Sequence, residues 1–171
     1  MNIQVRFHKP SFTKKALAEY SRSSALEVSL TSLLGTLTPE FRLTRHGLYL
    51  VRPRSTKNFA KIHRDLGKFN SEGLVNHIHL SHLVKNPVYQ FKIGVAAIRL
   101  WQQELERIGR IKSSVIFLNE ASTTSKGSDF ILCIYSDPQR SELQSLEKHW
   151  KRKVSIATVN SFLKWAARAG I

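Results

Sequence analysis

The residues of this chain best suited to chemistry lie in "NHIHLSH" (76–82). On an extended strand His77 and His79 point to one face, and a spacing of two suits a pair of imidazole ligands on one metal. An acidic third ligand is not obvious, although Glu72 and Glu120 are available. A general acid–base role on RNA is open to any of His46, His63, His77 or His79, because imidazole titrates near neutrality. Only His79-Leu-Ser81 has the His-x-Ser/Thr form, which excludes a paired set of such motifs around a cyclic phosphate. The lone cysteine, Cys133 in "FILCIYS", forms no internal disulfide and reads as a buried, inert thiol. The sequence has no phosphate-cradling Gly-rich loop, no Cys-based zinc site and no nucleophile elbow.

"HIH" resembles the His-hydrophobic-His motif of nucleases and transposases that nick single-stranded DNA through a tyrosine. "YQFK" (89–92) has the Tyr-x-x-Lys spacing of the replication initiators in that group. The resemblance implies Tyr89 as nucleophile, Lys92 as its neighbour, and His77 and His79 as ligands of a divalent metal.

The elements that must position these residues are mixed. "NIQVRFH" (2–8) alternates like a half-buried strand. Ser11 can cap a short helix, and Ser24-Ala-Leu-Glu27 has the form of a capping box for a helix ending at Gly35. "EFRLTRHGLYLVR" predicts a hairpin turning at Arg45-His46-Gly47. "EGLVNHIHLSHLV" alternates weakly and slightly favours a strand. Asn86-Pro87 opens the longest helix, whose apolar residues recur at three and four and make it central. "SSVIFLN" and "SDFILCIYS" read as buried strands, and "QRSELQSLEKHWKRK" as a helix. These readings give an α+β or mixed α/β fold of one compact domain, with roughly six strands and five or six helices. Residues 1–138 form the body, and 139–171 form a basic C-terminal element of the same domain or beside it.

The charge is abnormal. Twenty-seven Lys and Arg against twelve Asp and Glu leave a net charge of +15. It is concentrated at the ends: residues 1–68 hold 13 basic and 4 acidic side chains, residues 69–138 hold 7 and 6, and residues 139–171 hold 7 and 2. Self-repulsion on that scale points to a polyanionic partner. At ~100° per residue, Phe59, Ile62, Leu66 and Phe69 share one side of a helix over 57–69. Lys57, Lys61, Arg64 and Lys68 share the other, and the hairpin before it adds Arg42, Arg45, Arg52 and Arg54. Asp65 is the one acid among residues 41–68. A solvated helix face mixes Lys with Glu, and this one does not.

"VSIATVNSFLKWAARAGI" (154–171) resembles the recognition half of a helix-turn-helix, through Ser155, Thr158, Val159, Leu163, Ala169, Gly170 and Ile171. The resemblance implies that Ile156, Ala157, Asn160, Ser161 and Lys164 approach the major groove, and Arg168, one turn beyond Lys164, is a further candidate contact. The same residues also read as a strand followed by a helix of the main fold. Either way Lys148, Lys151, Arg152 and Lys153 form a cationic knot before it.

No apolar stretch approaches the ~20 residues of a membrane span, and no signal or lipidation motif is present, so a cytoplasmic protein is expected. The expected partner is nucleic acid, DNA before RNA, bound without a cofactor. The alternatives are a phosphodiester-cleaving nuclease with a divalent metal, and a subunit of a larger ribonucleoprotein or recombination complex.

Overall fold

The computed structural model describes residues 3–10, 30–51, 59–109, 114–123, 127–149 and 154–171. Five strands assemble into one sheet, with a two-stranded hairpin at its side. The sheet contains β1 (Gln4–Phe7), β4 (Ile78–His79), β5 (Ser114–Thr123), β6 (Gly127–Ser136) and β7 (Ser155–Thr158), in the order β4-β6-β5-β1-β7. β1 runs parallel to β5, with Val5 opposite Ile116, and the other pairings are antiparallel. The hairpin is β2 (Glu40–Thr44) and β3 (Gly47–Val51). The helices are α1 (Leu30–Leu37), α2 (Phe59–Val75), α3 (Pro87–Arg107), α4 (Arg140–His149) and α5 (Val159–Arg168), with a 3₁₀ turn at Leu80–His82. This is a single compact α+β domain.

Strand alternation divides the core. Val5, Phe7, Ile116, Leu118, Phe130, Leu132 and Ile134 face α3 and α5, where Phe91, Ile98, Trp101 and Phe162 complete the larger cluster. Phe7 packs between Phe162 and Trp165, at ring distances of 4.7 and 4.9 Å. Val115, Phe117, Cys133 and Tyr135 face the other way, against Phe69 of α2 and Leu143 and Leu146 of α4. Cys133 is free and buried, as its apolar strand implied.

The hairpin does not pair with the sheet through its backbone. Two buried side chains of α2 lie between β3 and β6 instead. Glu72 accepts from Leu48 N and Ser136 N, both at 2.8 Å, and from Ser136 Oγ. One turn on, Asn76 accepts from Leu50 N at 2.9 Å and donates to Leu48 O at 2.8 Å and Ile134 O at 3.0 Å. Edge groups that would otherwise be buried unpaired are thereby satisfied. Gly47 is needed for the close approach: its φ is +139°, and a Cβ there would lie 2.6 Å from Glu72 Oε1.

Several expectations are corrected. The helix over 57–69 is broken at Gly67 (φ 73°, ψ 169°), a conformation open to glycine. Leu66 is therefore exposed, and Phe69 belongs to a second helical segment that stacks on Tyr135 at 4.4 Å. Phe59 stacks on Tyr49 of the hairpin, also at 4.4 Å, and not on the sheet. α1 runs past Gly35 to Leu37, tied to α3 by the Trp101 indole donating to Thr36 O at 2.9 Å. "EGLVNHIHLSHLV" is helix to Val75, a two-residue strand, then a 3₁₀ turn. Of the two C-terminal alternatives, the chain forms the strand followed by the helix. Ser155–Thr158 pairs with β1 where the helix-turn-helix resemblance requires turn and helix. α5 then buries Val159, Phe162 and Ala166 in the main core. The two segments proposed to start at Ser11 and Ser24 lie outside the described residues, apart from the end of α1.

Candidate functional site

The structure brings two groups of polar side chains together. The first is at the hairpin tip. The Arg45-His46-Gly47 turn carries His46 against His63 of α2, with ring centroids 4.7 Å apart, and Arg45 Nε donates to His46 Nε2 at 3.1 Å. Partial burial, then the charges of His63 and Arg45, hold the His46 imidazole below its ordinary range. Lys61 and Arg64 are exposed on the first segment of α2, and Arg42 is exposed with Glu40 at 3.5 Å. Lys68 follows the Gly67 break, is partly buried, and acts on Glu72, so the ridge is not one continuous row. Arg52, Arg54, Lys57, Lys151, Arg152 and Lys153 lie outside the described residues.

In the C-terminal part Lys148 is exposed on α4. Asn160, Lys164 and Arg168, each four apart, are exposed along α5, opposite Val159, Phe162 and Ala166. They line the outside of a helix that lies over β1, away from the hairpin.

The second group is on the sheet. Ile78 packs into the α3-side core, which turns His77 and His79 to the opposite face. Their rings meet edge to face, 5.2 Å apart, and the His82 ring lies 5.4 Å from His79. His77 Nδ1 donates to Gly73 O at 3.0 Å. His79 Nδ1 lies 2.6 Å from Asp129 Oδ2, and Ser81 N donates to Asp129 Oδ1 at 3.2 Å. Burial pushes the Asp129 carboxyl up, but the bonds from His79 and Ser81 outweigh it and leave Asp129 below the ordinary carboxylate range.

The acidic partner is thus Asp129, not Glu72 or Glu120. Glu72 is committed to the hairpin, where burial holds it above the ordinary range against the bonds from Ser136 and Leu48. Asp129 was missed because it reads as the polar start of an apolar strand. Its register, two residues before Ile131 opposite His79, depends on a pairing 50 residues apart. Tyr89 packs against the α3-side core, on the other face of the sheet from His79, so the tyrosine–histidine constellation of the nicking enzymes does not assemble. Among the described residues no group of three or more His, Cys, Asp or Glu is arranged to hold a metal ion, and no helix is long and apolar enough to cross a membrane. Comparison of the chain with protein-family models, curated proteins and solved structures returned no match.

Proposed function

We propose that this protein binds nucleic acid through its phosphates, with the hairpin tip and the first segment of α2 as the contact surface. The supporting observation is charge without counter-charge. Arg45 and Arg64 are exposed, and among the described residues neither has a carboxylate within ion-pair distance, on a chain of net charge +15. Cations kept apart from acids are available to phosphates, and each phosphate neutralised releases counterions. Contacts of this kind carry affinity and little sequence choice. Because β7 occupies the start of the segment that resembled a recognition helix, the expected preference for DNA loses its support. Duplex DNA, single-stranded DNA and RNA are all candidates.

The test is binding of those three polymers across a salt series. With about four phosphates contacted, affinity for duplex falls on the order of a hundredfold between roughly 50 and roughly 200 mM salt. Arg45→Ala with Arg64→Ala makes the logarithmic salt slope shallower by about 1.8 for duplex, or about 1.4 for single strands. An unchanged slope in the double variant, or no binding of any of the three, refutes the proposal.

A further inference from the structure

We infer a second, catalytic site on the open face of β4, where His79 and His82 act as general base and general acid in cleaving the ribose–phosphate link of RNA. It goes beyond binding and uses none of the hairpin cations.

Three observations carry it. First, Asp129 fixes the tautomer of His79. A carboxylate only accepts, so Nδ1 carries the proton and Nε2 is the basic atom. Asp129 is itself held by Ser81 N, so the ring has a set direction as well as a set tautomer. Second, this pair is half open. The Asp129 side chain is 9% exposed and the His79 side chain 36%. Among the described residues His79 Nε2 has no hydrogen-bond partner, whereas a histidine serving only to satisfy a buried carboxylate has no need to present its other nitrogen. Third, His79 is not alone. The exposed His82 ring is 5.4 Å away and tilted 34°, close enough for both imidazoles to reach one phosphodiester. His77, oriented by Gly73 O, adds a third ring 5.2 Å from His79.

The step balances without a co-reactant. His79 Nε2 removes the proton of a ribose 2′-hydroxyl, and the 2′-oxygen forms a bond to phosphorus. The bond from phosphorus to the 5′-oxygen breaks, and protonated His82 gives that oxygen its proton. The products are a 2′,3′-cyclic phosphate end and a 5′-hydroxyl end. Asp129 is a positioning residue that also steadies the imidazolium formed on His79. A chain lacking the 2′-hydroxyl cannot react this way.

The experiment uses the full chain with a fluorophore–quencher RNA oligonucleotide, the same sequence as DNA, and excess EDTA throughout. Expected are cleavage of RNA alone, a cyclic-phosphate product by mass spectrometry, and loss of at least about a hundredfold in rate in His79→Ala and in His82→Ala. His82 is exposed, and surface substitutions of this kind are close to neutral for stability. Asp129→Asn lowers kcat with KM within about twofold, a split that a merely structural residue would not give. No cleavage above that of the His79→Ala, His82→Ala double variant overturns the inference, as does equal cleavage of DNA, inhibition by EDTA, or full activity in His82→Ala. The same samples are titrated with RNA for binding. Affinity retained without cleavage overturns this site and leaves the proposed binding function standing. Cleavage without salt-dependent affinity does the reverse.

Discussion

Replacing Asn76 by Ala tests the claim that side chains, not backbone pairing, hold the hairpin to the sheet. Asn76 is wholly buried, and its amide serves Leu50 N, Leu48 O and Ile134 O. Leu48, Leu50 and Ile134 are themselves buried, so truncation leaves Leu50 N and Leu48 O without partners and Ile134 O with only the weak Cys133 thiol contact at 3.9 Å, none with a route to bulk water. At about 1–3 kcal/mol for each group, with the carbonyls at the lower end, the loss is about 4 kcal/mol. That is a large share of the roughly 5–15 kcal/mol available to a domain. Urea unfolding followed by tryptophan fluorescence reads it directly. With m near roughly 2 kcal/mol/M, the midpoint falls by about 2 M, and the thermal midpoint by about 8–16 °C. Asn70→Ala is the control. Asn70 is exposed on the same helix, with its amide donating to Leu66 O at 3.2 Å, and its loss costs less than about 0.5 kcal/mol. A midpoint shift below about 0.5 M for Asn76→Ala, with m unchanged, refutes the reasoning and returns the hairpin to ordinary apolar packing.

Three further outcomes follow from the same geometry. Burial raises the Glu72 carboxyl above its ordinary 4.5, so the folded chain binds this proton more tightly than the unfolded one. Its contribution to stability is therefore present below that ordinary value and lost as pH rises through the raised one, and urea titrations at several pH values show this slope in the parent and not in Glu72→Gln. Gly47→Ala meets both a φ of +139° and Glu72 Oε1 at 2.6 Å, and it lowers the unfolding free energy by about 2–3 kcal/mol in the same assay. Cys133 is 6% exposed within β6, and its thiol reacts with Ellman's reagent only at the rate of unfolding, so rapid labelling of the folded protein contradicts this packing.

What could be read from the sequence was local. The Arg45-His46-Gly47 turn and the Asn86-Pro87 start both stand where their chemistry put them. Asn86 Oδ1 accepts from Val88 N at 2.9 Å, and α3 begins at Pro87. Residues 71–82 resisted because their pattern is set by distant partners. Glu72 and Asn76 are polar yet buried to serve β3 and β6, while His77, His79 and His82 turn outward, and neither a period of 3.6 nor of 2 describes that mixture. The C-terminal strand was ambiguous for a related reason. Within β7 the large apolar residue, Ile156, is 55% exposed, and what makes it a strand is pairing with β1 at the other end of the chain. Gly67 broke a helix whose apolar spacing looked continuous, since periodicity does not register one residue's dihedral angles. The Asp129–His79 pair needed a register across 50 residues, and no local signal contains it.

The placement of the cations also separates contributions that net charge lumps together. The hairpin tip and α2 lie beside β6, with Phe69 of α2 packed on one face of the sheet, whereas α5 packs on the opposite face, over β1 and two strands further across. The Asn160, Lys164 and Arg168 line is turned outward from α5, away from the core that joins it to α3. A short oligonucleotide seated on Arg45 and Arg64 therefore does not reach that line, while a longer one that follows the surface does. Lys164→Ala with Arg168→Ala should leave affinity for an oligonucleotide of about six nucleotides within twofold, and weaken binding of one of about thirty by roughly fivefold or more at low salt. Arg45→Ala with Arg64→Ala should weaken both. Equal losses for the short oligonucleotide from the two double variants would mean that the cations act as one diffuse field. The hairpin tip would then have no special claim as the contact surface.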